Sequence, residues 1–255
     1  MTKKFFGVLL ACVAAFGLTS CGQKEGKAVY VLSDENLEKV LKEYKSVGDF
    51  HEGLAVVGKE VKDNQVFYGY INTDAELVVP VNYESAENFS DGLAAVATKK
   101  KVKKDGGEQE VIRWGYVNDK GEEVIALDYE AAGEFGDGLA VVTKDEKAIV
   151  INEDGEKVYE LPKDYSFVSD AKYYDGLVPV KKSIKDGDKY GYLDKEGKEA
   201  TKFIYDKVGN FYECGYAKVT LNGTEFYIDT KENKHLKQDI KDEVNEELKW
   251  FNDEL

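Results

Sequence analysis

Five copies of one short phrase punctuate this chain, and self-similarity at a spacing of roughly 20 to 50 residues marks a stack of equivalent units, none able to bury its apolar face alone. The phrase reads Phe50-His51-Glu52-Gly53-Leu54-Ala55-Val56-Val57, then Phe89-Ser90-Asp91-Gly92-Leu93-Ala94-Ala95-Val96, then Phe135-Gly136-Asp137-Gly138-Leu139-Ala140-Val141-Val142. Two looser copies begin at Tyr173 and Phe211. From one leading aromatic to the next the steps are 39, 46, 38 and 38 residues. Lys99 to Gly107 accounts for the longest step, extending one hairpin by seven residues relative to the first unit.

Each phrase has two companions. Downstream lies an aromatic-glycine-aromatic run ending in a polar turn: Tyr68-Gly69-Tyr70-Ile71-Asn72, Trp114-Gly115-Tyr116-Val117-Asn118, and Tyr190-Gly191-Tyr192-Leu193-Asp194. Further on, an apolar residue stands four before a tyrosine, as Val40 before Tyr44, Val79 before Tyr83, Ile125 before Tyr129 and Leu161 before Tyr165. Leu139, Val141 and Thr143 alternate with Ala140 and Val142, the period of two that a strand imposes. Asn118-Asp119-Lys120-Gly121 and Asn152-Glu153-Asp154-Gly155 have the composition of type I turns closed by glycine at positive φ, and Asn222-Gly223 that of a two-residue hairpin. The predicted unit is strand, hairpin loop, strand, tight turn, strand. The Asp/Glu-Gly pair of the leading phrase is then a turn and not a site.

These phrases resemble the WG-repeat family, named for its tryptophan-glycine pair, over about Val29 to Asp229. Only Trp114-Gly115 keeps the literal pair; Tyr68-Gly69 and Tyr190-Gly191 substitute tyrosine, while Ala148-Ile149 and Glu225-Phe226 depart further. The resemblance implies an all-β protein of about five tandem antiparallel hairpin or three-strand repeats. An open hairpin stack is favoured, because three short strands are thin for a propeller blade; a closed propeller-like ring is the alternative. Ser33-Asp34-Glu35-Asn36 with Leu37, Val40, Leu41 and Tyr44 imitates a capped helix. Val29 to Tyr44 nevertheless aligns without gaps on Trp114 to Tyr129, and this register predicts strand, turn, strand. Lys237 to Leu255 sets Ile240, Val244, Leu248, Phe251 and Leu255 on one helical stripe. That segment, 237–255, is assigned as a capping helix on a repeat domain of residues 28–236.

The first twenty residues read as a targeting segment. Lys3 and Lys4 precede an uncharged, largely apolar run from Phe5 to Leu18, shorter than the roughly 20 residues that span a bilayer. Leu18-Thr19-Ser20-Cys21 resembles the bacterial lipobox, which implies a signal peptide of 1–20, acylation (palmitate among the chains) at Cys21 and a linker of 21–27. Gly22 follows the cysteine where an inner-membrane lipoprotein of the enterobacterial kind would carry aspartate, so the resemblance implies a lipid anchor in the outer membrane, facing the periplasm or the cell surface. Cys214 is the one cysteine left for the folded part, which excludes an internal disulfide. Without Lys3 and Lys4, 33 basic residues face 50 acidic ones, a formal net charge of −17. Such a surface disfavours nucleic acid as a partner.

Candidate chemistry is sparse. His51 and His235 are the two histidines, and neither stands in a nucleophile or metal pattern. The acidic turns lack the spacing and the distal Glu of a calcium loop, and the glycines precede strands where a phosphate cradle needs a helix N-terminus. No cofactor, metal or catalytic residue is expected. Aromatics are the feature suited to recognition: Tyr70, Tyr116 and Tyr192 at one repeat position, with Tyr68, Trp114 and Tyr190 two residues before them. The expectation is that one set packs between units and the other, on the opposite strand face, lines an exposed strip. The sequence thus points to a non-catalytic, membrane-anchored binding or scaffold module for an unidentified protein. An envelope-glycan binder is the alternative, and a hydrolase the weakest reading.

Overall fold

The computed structural model describes residues 30–236 apart from 62, 63, 105, 106 and 213. The predicted signal peptide, the linker and the helix 237–255 lie outside the described residues. Five antiparallel sheets follow one another in chain order, each a simple meander. The first contains β1 (Ser46–His51), β2 (Leu54–Glu60), β3 (Val66–Asn72) and β4 (Leu77–Tyr83). The second contains β5 (Ser85–Ala86), the long hairpin β6 (Leu93–Lys104) and β7 (Gly107–Asn118), and β8 (Glu123–Tyr129). The third holds β9 (Ala131–Ala132), β10 (Leu139–Lys144), β11 (Lys147–Asn152) and β12 (Lys157–Glu160). The fourth has three strands, β13 (Tyr165–Phe167), β14 (Val178–Ile184) and β15 (Gly187–Leu193). The fifth is β16 (Lys207–Phe211), β17 (Tyr216–Leu221), β18 (Thr224–Asp229) and β19 (Lys234–His235).

The unit therefore has a strand beyond the three predicted. The residues between each tyrosine and the next leading aromatic, too few to show alternation, contribute the first strand of the following sheet. The turns are as expected. Asp91 and Gly92 have φ of 53° and 75°, Asp137 and Gly138 51° and 77°, two consecutive left-handed residues that form a tight hairpin and suit Asp-Gly. At the same end of the sheet, where Leu93 pairs with Asn118, the side-chain oxygen of Asn118 accepts the backbone N–H groups of Lys120 and Glu122, and Asn72, Asn152, Asp194 and Asp229 do the same in their own units. These oxygens, which a calcium loop would need, close the turn instead.

The core lies between sheets, not within one. Leu54, Tyr70 and Val79 of the first sheet pack on Phe89, Ala94, Val96 and Val117 of the second. Tyr116 and Ile125 meet Phe135, Ala140, Val142 and Ile151; Val150 meets Tyr173, Val178 and Val180; Tyr192 meets Phe211, Ala217 and Val219. Each strand thus presents one residue parity to the preceding sheet and the other to the next, which is why its two faces are both apolar. The array is open, not a ring. The fourth strand of the last sheet is β19, a continuation of the chain, where closure would require an N-terminal strand.

The outer face of the first sheet is covered by a helix, α1 (Asp34–Glu43), where strand, turn, strand was expected. Val40 and Tyr44 pack there on Ala55, Val57 and Ile71. The physical reason is that the repeat register needs an earlier sheet to pair with, and none precedes residue 30 among the described residues. Local signals then decide: Ser33 accepts from Asn36 N–H as N-cap, Asp34 and Glu35 occupy the first turn and Lys42 the last. A helix at the end of the stack meets the requirement that terminal units carry a polar-backed cap.

Candidate functional site

The aromatic-glycine-aromatic run is a joint between sheets, and its glycine has a steric cause. Residues Trp114 and Tyr116 on β7 pair with Tyr129 and Ile125 on β8, so two residues of the inner strand oppose four of the outer one. The surplus backbone crosses directly above Gly115, where a Cβ would lie 2.4 Å from the Ile125 carbonyl oxygen and 2.7 Å from Leu127 N. Gly69 is overlain in the same way, at 2.4 Å from Val79 O, with Tyr68 paired to Tyr83 and Tyr70 to Val79. Gly191 is crossed more loosely, at 3.1 Å from Lys202 O. This bulge, two residues wide, fixes glycine at the position because any side chain meets backbone.

The six candidate aromatics are all accounted for. Tyr70, Tyr116 and Tyr192 are fully buried. Their rings meet Phe89, Phe135 and Phe211 edge-on at 4.8 Å in each case, joining one sheet to the leading aromatic of the next. The three hydroxyls donate to the carbonyl oxygens of Glu87, Gly133 and Gly209, at 2.6, 2.8 and 2.7 Å. Burial pushes all three phenols well above the ordinary tyrosine range, so they serve as permanent donors. Tyr68, Trp114 and Tyr190 are half-buried and stand opposite Tyr83, Tyr129 and Tyr205 on the neighbouring outer strand. They do not occupy the opposite face. Trp114 packs into the same cluster as Tyr116, and Tyr190 into that of Tyr192, because residues two apart on a strand share a face. In place of the expected exposed strip on the opposite face, the second set is half-buried on the same face as the first. Cys21 lies outside the described residues, so its lipidation rests on the sequence alone.

Two features at the inner rim had no signature in the sequence. The first is a relay of turns. The Glu52 carboxylate accepts the N–H groups of Asp91 and Gly92 at 2.9 and 2.8 Å, Asp91 accepts Gly138 N–H at 2.9 Å, and Asp137 accepts Gly176 N–H at 2.7 Å. Each acidic turn thereby holds the next unit's turn, which gives the Asp/Glu of the phrase a role that a solvated turn residue lacks. The second is Lys172, whose ammonium bonds Ser90 Oγ at 2.7 Å and the Glu134 carboxylate at 3.0 Å and lies over the Tyr174 ring. Its own N–H donates to Asn210 Oδ1, so one residue ties four successive units. Glu87 stands in the same cluster, its carboxyl raised by burial first and then by Glu134 and Asp170. His51 is exposed at a strand end, His235 contacts Asp229 at 3.3 Å, and Cys214 is half-buried beside Tyr227.

A shallow groove separates the second and third sheets. Two adjoining depressions of 180 and 380 Å³ share Val124 and Asp154 in their walls. Ile125, Tyr129, Lys144 and Gly155 line one, and Asp91, Leu93 and Glu153 the other.

Meander sheets joined face to face through repeated turns and aromatic-glycine joints define a β-repeat protein. The family described as WG containing repeat matches residues 32–60, 68–101, 114–147 and 190–224, just over half of the chain, and the chain belongs to that family. No curated protein matches it. Among solved structures it is similar to a TolB-like protein of Agrobacterium tumefaciens (9% identity, 75% of this chain and 79% of that one, TM-score 0.43). It is similar also to the WD40 domain of Toxoplasma gondii coronin (13%, 73% and 55%, TM-score 0.41). A third likeness is to prolyl oligopeptidase B of Galerina marginata (14%, 79% and 35%, TM-score 0.46). The chain spans about half of the coronin domain and a third of the peptidase. Nothing about activity is drawn from these likenesses.

Proposed function

We propose that this chain is a non-catalytic binding or scaffold module for protein partners, held to the outer membrane of a bacterial envelope by lipid on Cys21. The observation that carries the protein-binding reading is the fate of the aromatics. Tyr70, Tyr116 and Tyr192 are consumed by the joints, and Tyr68, Trp114 and Tyr190 are half-buried. A glycan binder needs open ring faces on which sugars stack, and burial reduces what these six rings offer. What the array does offer is a long outer surface of strand edges and grooves, the usual currency of repeat proteins that bind other proteins. The Glu134 carboxylate and Ser90 hydroxyl, which a hydrolase reading would look to, are both bonded to the Lys172 ammonium.

Pull-down from envelope extracts with the chain from Gly22 onward, which keeps every described residue, tests the reading. Reproducible retention of one or a few proteins is the expected result. Retention of peptidoglycan or capsular fragments with no protein would replace it by the glycan alternative. The anchor is tested apart from this: Cys21→Ala should move the protein from the membrane to the soluble fraction, and continued membrane retention would contradict lipidation.

A further inference from the structure

We propose that the groove between the second and third sheets receives a cationic, extended peptide segment, which adds as a strand along β8. The proposal rests on the reading of the chain as a protein-binding module and supplies that reading with a place and a partner chemistry.

Three observations converge on it. First, β8 ends the order of its sheet, so among the described residues the strand has one edge without a strand neighbour, and backbone groups on such an edge pair readily with an incoming chain. Second, the groove has an apolar strip. Val124 on β8 is 45% exposed, a large hydrophobic side chain left uncovered in the wall shared by both depressions, with Ile125 and Leu93 buried beneath it. Gly155 keeps the floor open there, since a Cβ at that position would come within 3.2 Å of the Ile125 side chain. Third, the rim is acidic. Asp91, Asp128, Glu153 and Asp154 line it against Lys144 alone, and Lys144 is turned over the Tyr129 ring.

Two of those acids are already engaged, Asp91 by Gly138 N–H and Asp128 by Lys100 at 3.5 Å. The carboxylates of Glu153 and Asp154 are in no ion pair or hydrogen bond among the described residues. They are the groups left to meet a cationic side chain. The corresponding turns elsewhere read Thr73-Asp74, Asp119-Lys120, Lys195-Glu196 and Thr230-Lys231, so the third unit alone presents two adjacent acids. At the next junction Val158 stands in the place of Val124 and is 44% exposed, and Tyr159 stands in the place of Ile125, within 2.8 Å of a Cβ built on Gly197, so the pair of adjacent acids is what sets the groove between the second and third sheets apart. Alternation along an added strand would set small apolar residues over Val124 and lysines or arginines toward Glu153 and Asp154.

The test uses the chain from Gly22 onward and a fluorescent peptide of four Lys-Val repeats, read by anisotropy at physiological ionic strength. Val124→Lys, and separately Glu153→Gln with Asp154→Asn, should each weaken binding by about tenfold or more, a loss in the range of one or two close charge contacts. Glu35→Gln with Glu38→Gln on α1 removes the same charge far from the groove and should change affinity less than about twofold. N-methylation of alternate peptide bonds on the pairing edge should abolish binding. Equal effects of the groove and α1 variants, indifference to N-methylation, or no binding of the peptide would each overturn the proposal. If envelope proteins are still retained in the pull-down, the failure is of the groove and not of the binding role.

Discussion

The second and third sheets meet through one kind of joint, the third and fourth through another. At the first joint Tyr116 abuts Phe135 and donates to Gly133 O, while Gly115 lets the surplus backbone of β8 cross above it. At the second, Val150 stands in the place of Tyr116 and Ile149 in the place of Gly115. There the wide bulge is absent: Ile149 pairs with Glu160 and Val150 with Tyr159 with no extra residues between, and the one irregularity falls a residue later, between Val150 and Ile151. The missing ring volume is supplied by Tyr159 from that outer strand. Its hydroxyl meets that of Tyr173, the leading aromatic that here is tyrosine where the other four units have phenylalanine. At this joint glycine, bulge and buried tyrosine are given up together, whereas the fifth unit has Phe226 at the glycine position and keeps a buried tyrosine, Tyr227.

Substitution at the odd joint carries the largest expected effect. Ile149→Gly removes a side chain that is 8% exposed and leaves a cavity, a loss of about 3 to 5 kcal/mol in the denaturant-unfolding midpoint. A loss below about 1 kcal/mol would mean that β12 rearranges into the bulged form, and the coupling would fail. Lys172→Met comes next. It removes two charge-assisted hydrogen bonds at the edge of the same joint and leaves Glu134 without its cation, so about 2 kcal/mol should be lost. Tyr116→Phe leaves the Gly133 carbonyl without its donor, and about 1 kcal/mol should disappear from the unfolding free energy. Tyr159→Phe provides the matching measurement for the other joint.

The smallest effect is one of pH. Burial, reinforced by Glu134 and Asp170, raises the Glu87 carboxyl in the folded chain, so the folded state binds this proton more tightly than the unfolded one. Stability then falls as pH rises through the interval just above the ordinary carboxylate range. Glu87→Gln should remove that slope and leave the protein slightly more stable than the parent near pH 7, as read from unfolding midpoints between about pH 4 and 7. An unchanged slope would place the pH dependence elsewhere.

Much of this was legible in the sequence, because period, turn composition and the leading phrase are local signals that five copies reinforce. The hairpins, the Asn118-type turns and the open stack follow from them. The misreadings have physical causes. Residues 34–43 carry a good N-cap and acidic first turn, which outweigh alignment to the repeat where the described residues include no earlier sheet to enforce a strand. Tyr68, Trp114 and Tyr190 were set opposite Tyr70, Tyr116 and Tyr192, although a spacing of two keeps them on one face. First strands such as Ser85–Ala86 are too short to have a pattern. The Lys172 contacts reach Ser90 and Glu134 across 82 and 38 residues, and nothing local announces them.

The claim that the family's glycine exists to admit the crossing strand is tested most directly by two Gly→Ala substitutions compared in one unfolding experiment. Gly115 is overlain by backbone at 2.4 Å, whereas at Gly209 the nearest atom to an added Cβ is Lys218 O at 3.7 Å. Gly115→Ala should cost about 3 kcal/mol, and Gly209→Ala should stay within about 1 kcal/mol of the parent in either direction. Equal effects at the two positions would contradict the account.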